Sequence, residues 1–298
     1  MTKIHSSSSM RWVFPLHADN TEKLESATTI RLVPELLVVG YQKYAEAYPI
    51  PLHCHHHAYE FVYLHSGSAT WEINGISYPM NAGQWFYTRP GELHKARFNH
   101  LEPSRIWWMI VQDPEGTPNW FRLEGSDREL AASRLQQLPR VFRAGPRVHE
   151  QFVRLKATLE TESPDQAFFA RHQVLDIIMG LLQPTSSKSI EPGVKDAVIH
   201  SVHQLTQAPN HRYSVAELAR ASQMSESHFY KVFHDIFGQS PAAYMERVRM
   251  ERACSLLQTN ISITEIAFEL GFKTSQHFTT VFRKHIGSSP SEWRKTGL

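Results

Sequence analysis

The chain has 298 residues, 41% hydrophobic and 20% charged, which excludes wholesale disorder and, at one domain per ~150 residues, predicts two domains. Lys+Arg 31 against Asp+Glu 29 leaves a formal charge of only +2, which excludes a histone-like polycation. The balance is uneven: residues 193–298 hold 12 Lys+Arg and 9 Asp+Glu, the preceding part 19 and 20, so the small basic excess lies toward the C-terminus and permits nucleic-acid binding there. Two cysteines, Cys54 and Cys254, exclude a disulfide framework and point to a reducing compartment. Residues 1–10 lack the apolar core of a secretion signal, and apolar runs such as residues 106–111 are too short to cross a bilayer. The reading is a cytoplasmic protein without membrane contact.

From about residue 36 to 111, short apolar or aromatic runs (59–64, 69–73, 84–88 and 105–111) alternate with turn residues. Asn74-Gly75 is the strongest hairpin signal, because both residues accept φ > 0. This texture predicts a small β-barrel or sandwich. The same region carries His53-Cys54-His55-x4-Glu60-x6-Gly67 and then Pro90-Gly91-x2-His94. A His-x-His pair on one strand projects both imidazoles to one face, and a carboxylate and third histidine from neighbouring strands complete a donor set suited to Zn²⁺, Mn²⁺ or Fe²⁺. The spacing resembles the two cupin motifs, except that Pro90 directly precedes Gly91 without the usual spacer, a departure that disfavours a metal. The competing readings of His53, His55, Glu60 and His94 are a metal site, a metal-free polar ligand pocket, and satisfied barrel histidines. Aromatics are dense here (Tyr59, Tyr63, Trp71, Trp85, Tyr87, Trp107, Trp108). Trp71 and Trp85 are the candidate platforms for an apolar sugar face, against the simpler reading that strands favour aromatics.

Residues 126–183 turn helical. Leu130, Leu135 and Leu138 space like one helix face, and Val148, Phe152, Leu155 and Leu159 form a cleaner stripe. Residues 168–182 form a third apolar helix, rich enough to be buried by a neighbour or a second subunit. The polar, proline-containing stretch that follows reads as a linker. The predicted division is a sensing barrel over 1–122, a helical dimerisation segment over 123–183, a linker over 184–193 and a DNA-binding module over 194–298.

That last region repeats itself. Phe229, Phe233, Gly238, Pro241 and Tyr244 recur 49 residues later as Phe278, Phe282, Gly287, Pro290 and Trp293, while Leu218-Ala219 answers Ile266-Ala267 at an offset of 48. Ser214-x-x-Glu217, Ser262-x-x-Glu265 and Ser289-x-x-Glu292 fit the capping box. Each unit predicts a helix (214–222 or 262–270), a turn, and a second helix (225–237 or 274–286). Two phenylalanines four apart hold each second helix to its core. Its other face, Ser225, Glu226, Ser227, His228 and Lys231 in the first unit and Thr274, Ser275, Gln276, Thr279, Thr280 and Arg283 in the second, stays free to enter a major groove. Two repeats are too few for a solenoid.

The stretch Ile263-x-Glu265-Ile266-Ala267-x3-Gly271-Phe272-x5-Phe278-x3-Phe282-Arg283-x3-Gly287-x2-Pro290-x2-Trp293-Arg294 resembles the signature of the AraC/XylS family of bacterial transcription regulators, with Trp293 where a tyrosine is usual. The resemblance covers about a third of the chain. It implies an α+β, two-domain molecule: an N-terminal cupin-like barrel with following helices, then an all-α module of two helix–turn–helix units joined by a long helix over 242–258. It also implies two recognition helices reaching successive major grooves, about 34 Å apart, an activator working through RNA polymerase, and sensor barrels that commonly need no metal; the helical segment over 123–183 makes a homodimer the expected assembly.

The leading reading is therefore a sequence-specific transcription regulator, not an enzyme, that binds double-stranded DNA and answers a small polar effector such as a sugar. It requires no cofactor, and a divalent metal is left open. The alternatives are a metal-dependent cupin enzyme or metal sensor carrying a DNA-binding module, and a DNA-binding protein controlled by a partner protein.

Overall fold

A computed structural model describes residues 11–15, 32–183, 192–207 and 214–296. The N-terminal half is organised by one long strand. β1 (Arg11–Pro15), β2 (Leu36–Tyr44), β3 (Tyr48–Pro49) and β4 (Ala58–Ile73) open the chain, and β4 joins into 16 residues what the sequence divides into two runs. A register shift between Leu64 and Ser66 bends it. Its first half pairs with β6 (Gln84–Thr88) and β9 (Ser104–Gln112), its second with β5 (Ile76–Asn81) and β7 (His94–Ala96). Asn74 and Gly75, at φ +52° and +78°, make the two-residue turn between β4 and β5. A short β8 (His100–Leu101) pairs with β3. The large sheet runs β1-β2-β9-β4-β6-β10, where β10 is Val141–Arg143.

The alternation of β4 separates two apolar layers. Val62, Leu64, Trp71, Phe86 and Ile106 fill the barrel interior. Tyr59, Phe61, Tyr63, Trp85, Tyr87 and Trp107 face the other way, under helices α1 (Gly125–Gln137), α2 (Val148–Glu160) and α3 (Gln166–Leu182). The stripe Val148, Phe152, Leu155 and Leu159 is buried along α2, each such side chain contributing about 1.5–3 kcal/mol of transfer free energy. Two expectations for this segment change. Leu130 is 57% exposed, while Leu135 is buried as the spacing predicts, with Ala131 and Ala132 completing the buried face of α1. The segment is also not wholly helical, because β10 returns to the edge of β6.

The C-terminal half is helical: α4 (Pro192–Gln207), α5 (Val215–Ala221), α6 (Glu226–Phe237), α7 (Pro241–Leu257), α8 (Ile263–Glu269), α9 (Ser275–Ile286) and α10 (Pro290–Thr296). Of the linker expected at 184–193, residues 184–191 lie outside the described residues, while Pro192 and Gly193 already belong to α4. Ser214 with Glu217 and Ser262 with Glu265 form reciprocal capping boxes, and the Ser289–Glu292 pair makes both bonds of a third. Ser240 caps α7 ahead of Pro241 at the first helical position. The architecture is the α+β, two-domain arrangement the sequence predicts. Among the described residues, no helix is long and apolar enough to cross a membrane.

Candidate functional site

Each helix–turn–helix unit pins its second helix by aromatic side chains. Phe229 and Phe233 of α6, and Phe278 and Phe282 of α9, are at most 1% exposed. Their burial turns the remaining faces outward. Glu226, Ser227, His228 and Lys231 are exposed on α6; on α9, Gln276, Thr280 and Arg283 are exposed and Ser275 and Thr279 are half-buried. Ser225 and Thr274 have a second duty the sequence reading did not give them. They are N-caps, accepting the backbone N–H of His228 at 3.3 Å and of His277 at 3.2 Å. The Thr279 hydroxyl donates to the Ser275 carbonyl at 2.8 Å and that of Thr280 to the Gln276 carbonyl at 3.1 Å, so each must rotate to donate to a base but can accept from one as it stands. Arg283 lies 3.7 Å from Glu292, with both side chains over 60% exposed, a pairing weak enough to exchange for a phosphate. Arg294 of the sequence signature points inward, donating to the carbonyls of Leu257 at 3.2 Å and Ile261 at 2.5 Å, and so ties α10 to the end of α7.

The second constellation assembles in the barrel. One donor atom from each of His53, His55, Glu60 and His94 lies within 4.8 Å of the others. His53 and His55 are not on a strand as expected. They sit on an extended segment joined to β7 by an isolated bridge between His53 and His94, and their imidazoles reach the cluster nonetheless. The Pro90-Gly91 departure does not remove His94. Gly91, at φ +77°, donates its N–H to the His55 carbonyl at 2.9 Å, and Glu92 is clamped by two hydrogen bonds from Arg140. His94 Nε2 then meets Glu60 Oε2 at 2.8 Å. Behind the cluster, Nδ1 of His94 donates to the Glu92 carbonyl at 2.9 Å and Nδ1 of His53 to Pro51 at 2.8 Å, which fixes each ring with Nε2 forward. Burial opposes ionisation of Glu60, yet the hydrogen bonds and charge of the flanking imidazoles outweigh it and hold the carboxyl far below the usual carboxylate range. Burial likewise disfavours charge on His94, but the bond to Glu60 wins and raises its pKa. Burial lowers that of His53.

Among the described residues, two buried polar atoms around this group, Trp71 Nε1 and Thr88 Oγ1, make no hydrogen bond, and a third, His55 Nε2, makes none of normal length and faces Glu60 Oε2 at 3.7 Å. Thr88 stands directly across the β4–β6 ladder from Glu60, so both face the interior; sequence reading missed it because only the register reveals it. Trp71 is inside as well, 6.1 Å from the His94 ring, with its face stacked on Phe86 at 5.2 Å. Trp85 does not join the site. It pairs with Tyr63 across the ladder and packs on Phe152 of α2, because neighbours along a strand face opposite sides.

The model for a helix–turn–helix domain matches residues 218–296, and that for a cupin domain residues 40–110. The chain thus carries an AraC-type helix–turn–helix domain behind a cupin domain. It is 33% identical over 93 residues to an uncharacterized HTH-type transcriptional regulator of Haemophilus influenzae, a match that spans 31% of each chain. It is 26% identical to the HTH-type transcriptional activator RhaS of Escherichia fergusonii over 81% of this chain and 86% of that one. Among solved structures, an AraC-type transcriptional regulator from Chromobacterium violaceum is 26% identical, covering 36% of this chain and 96% of that one at a TM-score of 0.34.

The chain is thus similar to DNA-binding transcription regulators through both domains. Its two cysteines stand apart from the recognition faces. Cys254 is buried in the second unit, and burial pushes its thiol up to about 12, which makes it inert.

Proposed function

We propose that this regulator activates transcription in response to a small polar metabolite held by His53, His55, Glu60 and His94, with Trp71 and Thr88 as further donors. The observation that carries this reading is the gathering of unmet polar atoms around a buried imidazole–carboxylate pair. Such atoms cost about 1–3 kcal/mol each unless a bound partner satisfies them. A sugar fits by its hydroxyls rather than by ring stacking, since Trp85 is on the far side of the sheet and the Trp71 face rests on Phe86. Activation is supported by the RhaS-type relative, and RNA polymerase is the partner that role requires. Residues 123–183 are assigned to homodimerisation, supported by Phe168, Phe169 and Val153, which are each about half exposed. The expected setting is the cytoplasm.

The donor set favours a second reading. Three imidazoles and one carboxylate, two of the rings oriented from behind, fit a divalent transition metal; His53, His55, Glu60 and His94 would hold it, and it would supply a Lewis-acid contact to an effector oxygen. Purified protein holding close to one metal per chain, lost on chelation and below the pH at which the imidazoles protonate, establishes that reading. Metal-free protein that gains thermal stability with one compound in a screen of monosaccharides and related metabolites establishes the direct one. A mobility-shift assay on the gene's own upstream region tests the shared frame. Equal, weak binding to that region and to scrambled DNA contradicts it.

A further inference from the structure

We infer that the paired segments 47–53 and 94–101 form a mechanical link that carries the state of the barrel cluster to the second helix–turn–helix unit. The inference rests on the reading of that cluster as the effector site.

The two segments are hydrogen-bonded to each other along their length. His53 and His94 exchange both backbone bonds, at 3.0 and 2.9 Å; Ala96 donates to the Ile50 carbonyl at 3.2 Å, Ile50 to that of Asn99 at 2.8 Å, and Tyr48 pairs with Leu101. One end of this ladder is therefore two of the four cluster residues. The other end lies on the DNA-binding module. Ala47 donates its N–H to the carbonyl of Lys284 in the last turn of α9 at 2.7 Å. The Phe98 ring meets Trp293 of α10 edge-on, with centroids 4.6 Å apart, and joins the buried core of the second unit. Arg97 reaches Glu251 of α7 at 3.4 Å. His100 presses so close to Gly287 that a Cβ there would lie 2.4 Å from its ring.

The segment that makes these contacts is held under strain. Phe98 and Asn99 sit at φ +58° and +60°, a region non-glycine residues occupy only where their surroundings over-determine it. Phe98 is held there by the ladder on one side and by Trp293 on the other. Ordering or loosening His94 and His53 changes how firmly this pair is held, and hence how the C-terminal end of α9 is seated. The exposed residues Gln276, Thr280 and Arg283 are not among those the ladder touches, so the barrel grips the unit without covering its reading face. The first unit touches the barrel elsewhere, through Gly238 against Ala82 and Arg143 against the Asp235 carbonyl. Among the described residues, no rung of the ladder reaches α5 or α6, and Arg97 touches only α7, which the two units share, so the link acts first on the second unit. The link is a physical one only if both ends bias the same arrangement.

Hydrogen exchange on the full chain, read by mass spectrometry in the native protein, His53→Ala, Phe98→Ala and the double variant, tests this. His53→Ala is expected to speed exchange over 94–101 and also over 284–293, about fivefold or more, the low end of ordinary site-to-site coupling. Phe98→Ala is expected to speed 284–293 by itself and to abolish the further response to His53→Ala there. Zn²⁺ alone is the probe for the opposite direction and should slow both stretches if it binds. Glu60→Gln and Gly287→Ala repeat the two arms should either first variant fail to fold. A response confined to 94–101, with 284–293 unmoved, overturns the link while leaving the cluster as the effector site. Failure of Zn²⁺ to bind counts against the metal reading alone, and the substitutions then decide the link.

Discussion

The two helix–turn–helix units share a frame and differ in what they present. The first packs Leu218, Ala219, Phe229 and Phe233 against Val198 and Val202 of α4. The second packs Ile266, Ala267, Phe278 and Phe282 against α7 and Trp293. Caps, C-terminal glycines and phenylalanines correspond at both places. The faces do not. α6 opens with the acid Glu226, whereas the first turn of α9 has no acid and its last turn holds Arg283, Lys284 and His285. An acid at a helix N-terminus favours the helix but repels phosphate. A duplicated fold has thus kept its core and let its surface diverge, and the proposed DNA-reading role predicts the second unit to be the stronger reader.

The largest test asks whether the frames are equal. Phe282→Ala and Phe233→Ala should each cost about 3–5 kcal/mol, as truncation of a buried phenylalanine does, measured by urea unfolding. A Phe282→Ala protein of native stability would place the helix in the wrong rotation. The next asks whether the faces are unequal. Gln276→Ala should lose about 1–3 kcal/mol of discrimination at one base position, with His228→Ala losing less; affinities against a panel of single-base operator variants read both, and a larger loss from His228→Ala reverses the ranking. The smallest concerns the turns. Gln223, at φ +56°, occupies the place that Gly271 holds at +74° in the second unit. The left-handed region costs a side chain about 1–2 kcal/mol, and the extra freedom of an unfolded glycine returns about 0.4–1 of it. Gln223→Gly should therefore stabilise by up to about 1 kcal/mol and Gly271→Ala destabilise by a similar amount, both visible as shifts in Tm. A destabilising Gln223→Gly would show that this glutamine makes a contact worth more than its strain.

The helical module was legible because its signals are local: capping serines, phenylalanines four apart and a constant repeat offset need no knowledge of distant partners. The barrel cluster was legible for the same reason, since the spacing of His53, His55 and Glu60 is written in one short stretch. What was not legible depends on register. Trp85 and Phe86 are equally aromatic, and only the pairing of Glu60 with Thr88 decides which of them shares the cluster's side. Leu130 was assigned to a buried face that Ala131 and Ala132 occupy, because small residues carry a weak periodic signal. The segment at Arg97 and Phe98 had no signal at all, because the Trp293 ring that Phe98 meets lies nearly two hundred positions further along.

The three residues of β10 have a consequence for synthesis and for truncation. They lie beyond α1, yet they pair with Gln84, Trp85 and Phe86 and close the outer side of β6. While the chain is being made, that strand shows a row of unpaired N–H and C=O groups until residues 141–143 emerge, and a bare edge of this kind recruits other chains. A sensor fragment ended at residue 122 keeps the edge open permanently and should aggregate, whereas one carried past Arg143 brings its own cover.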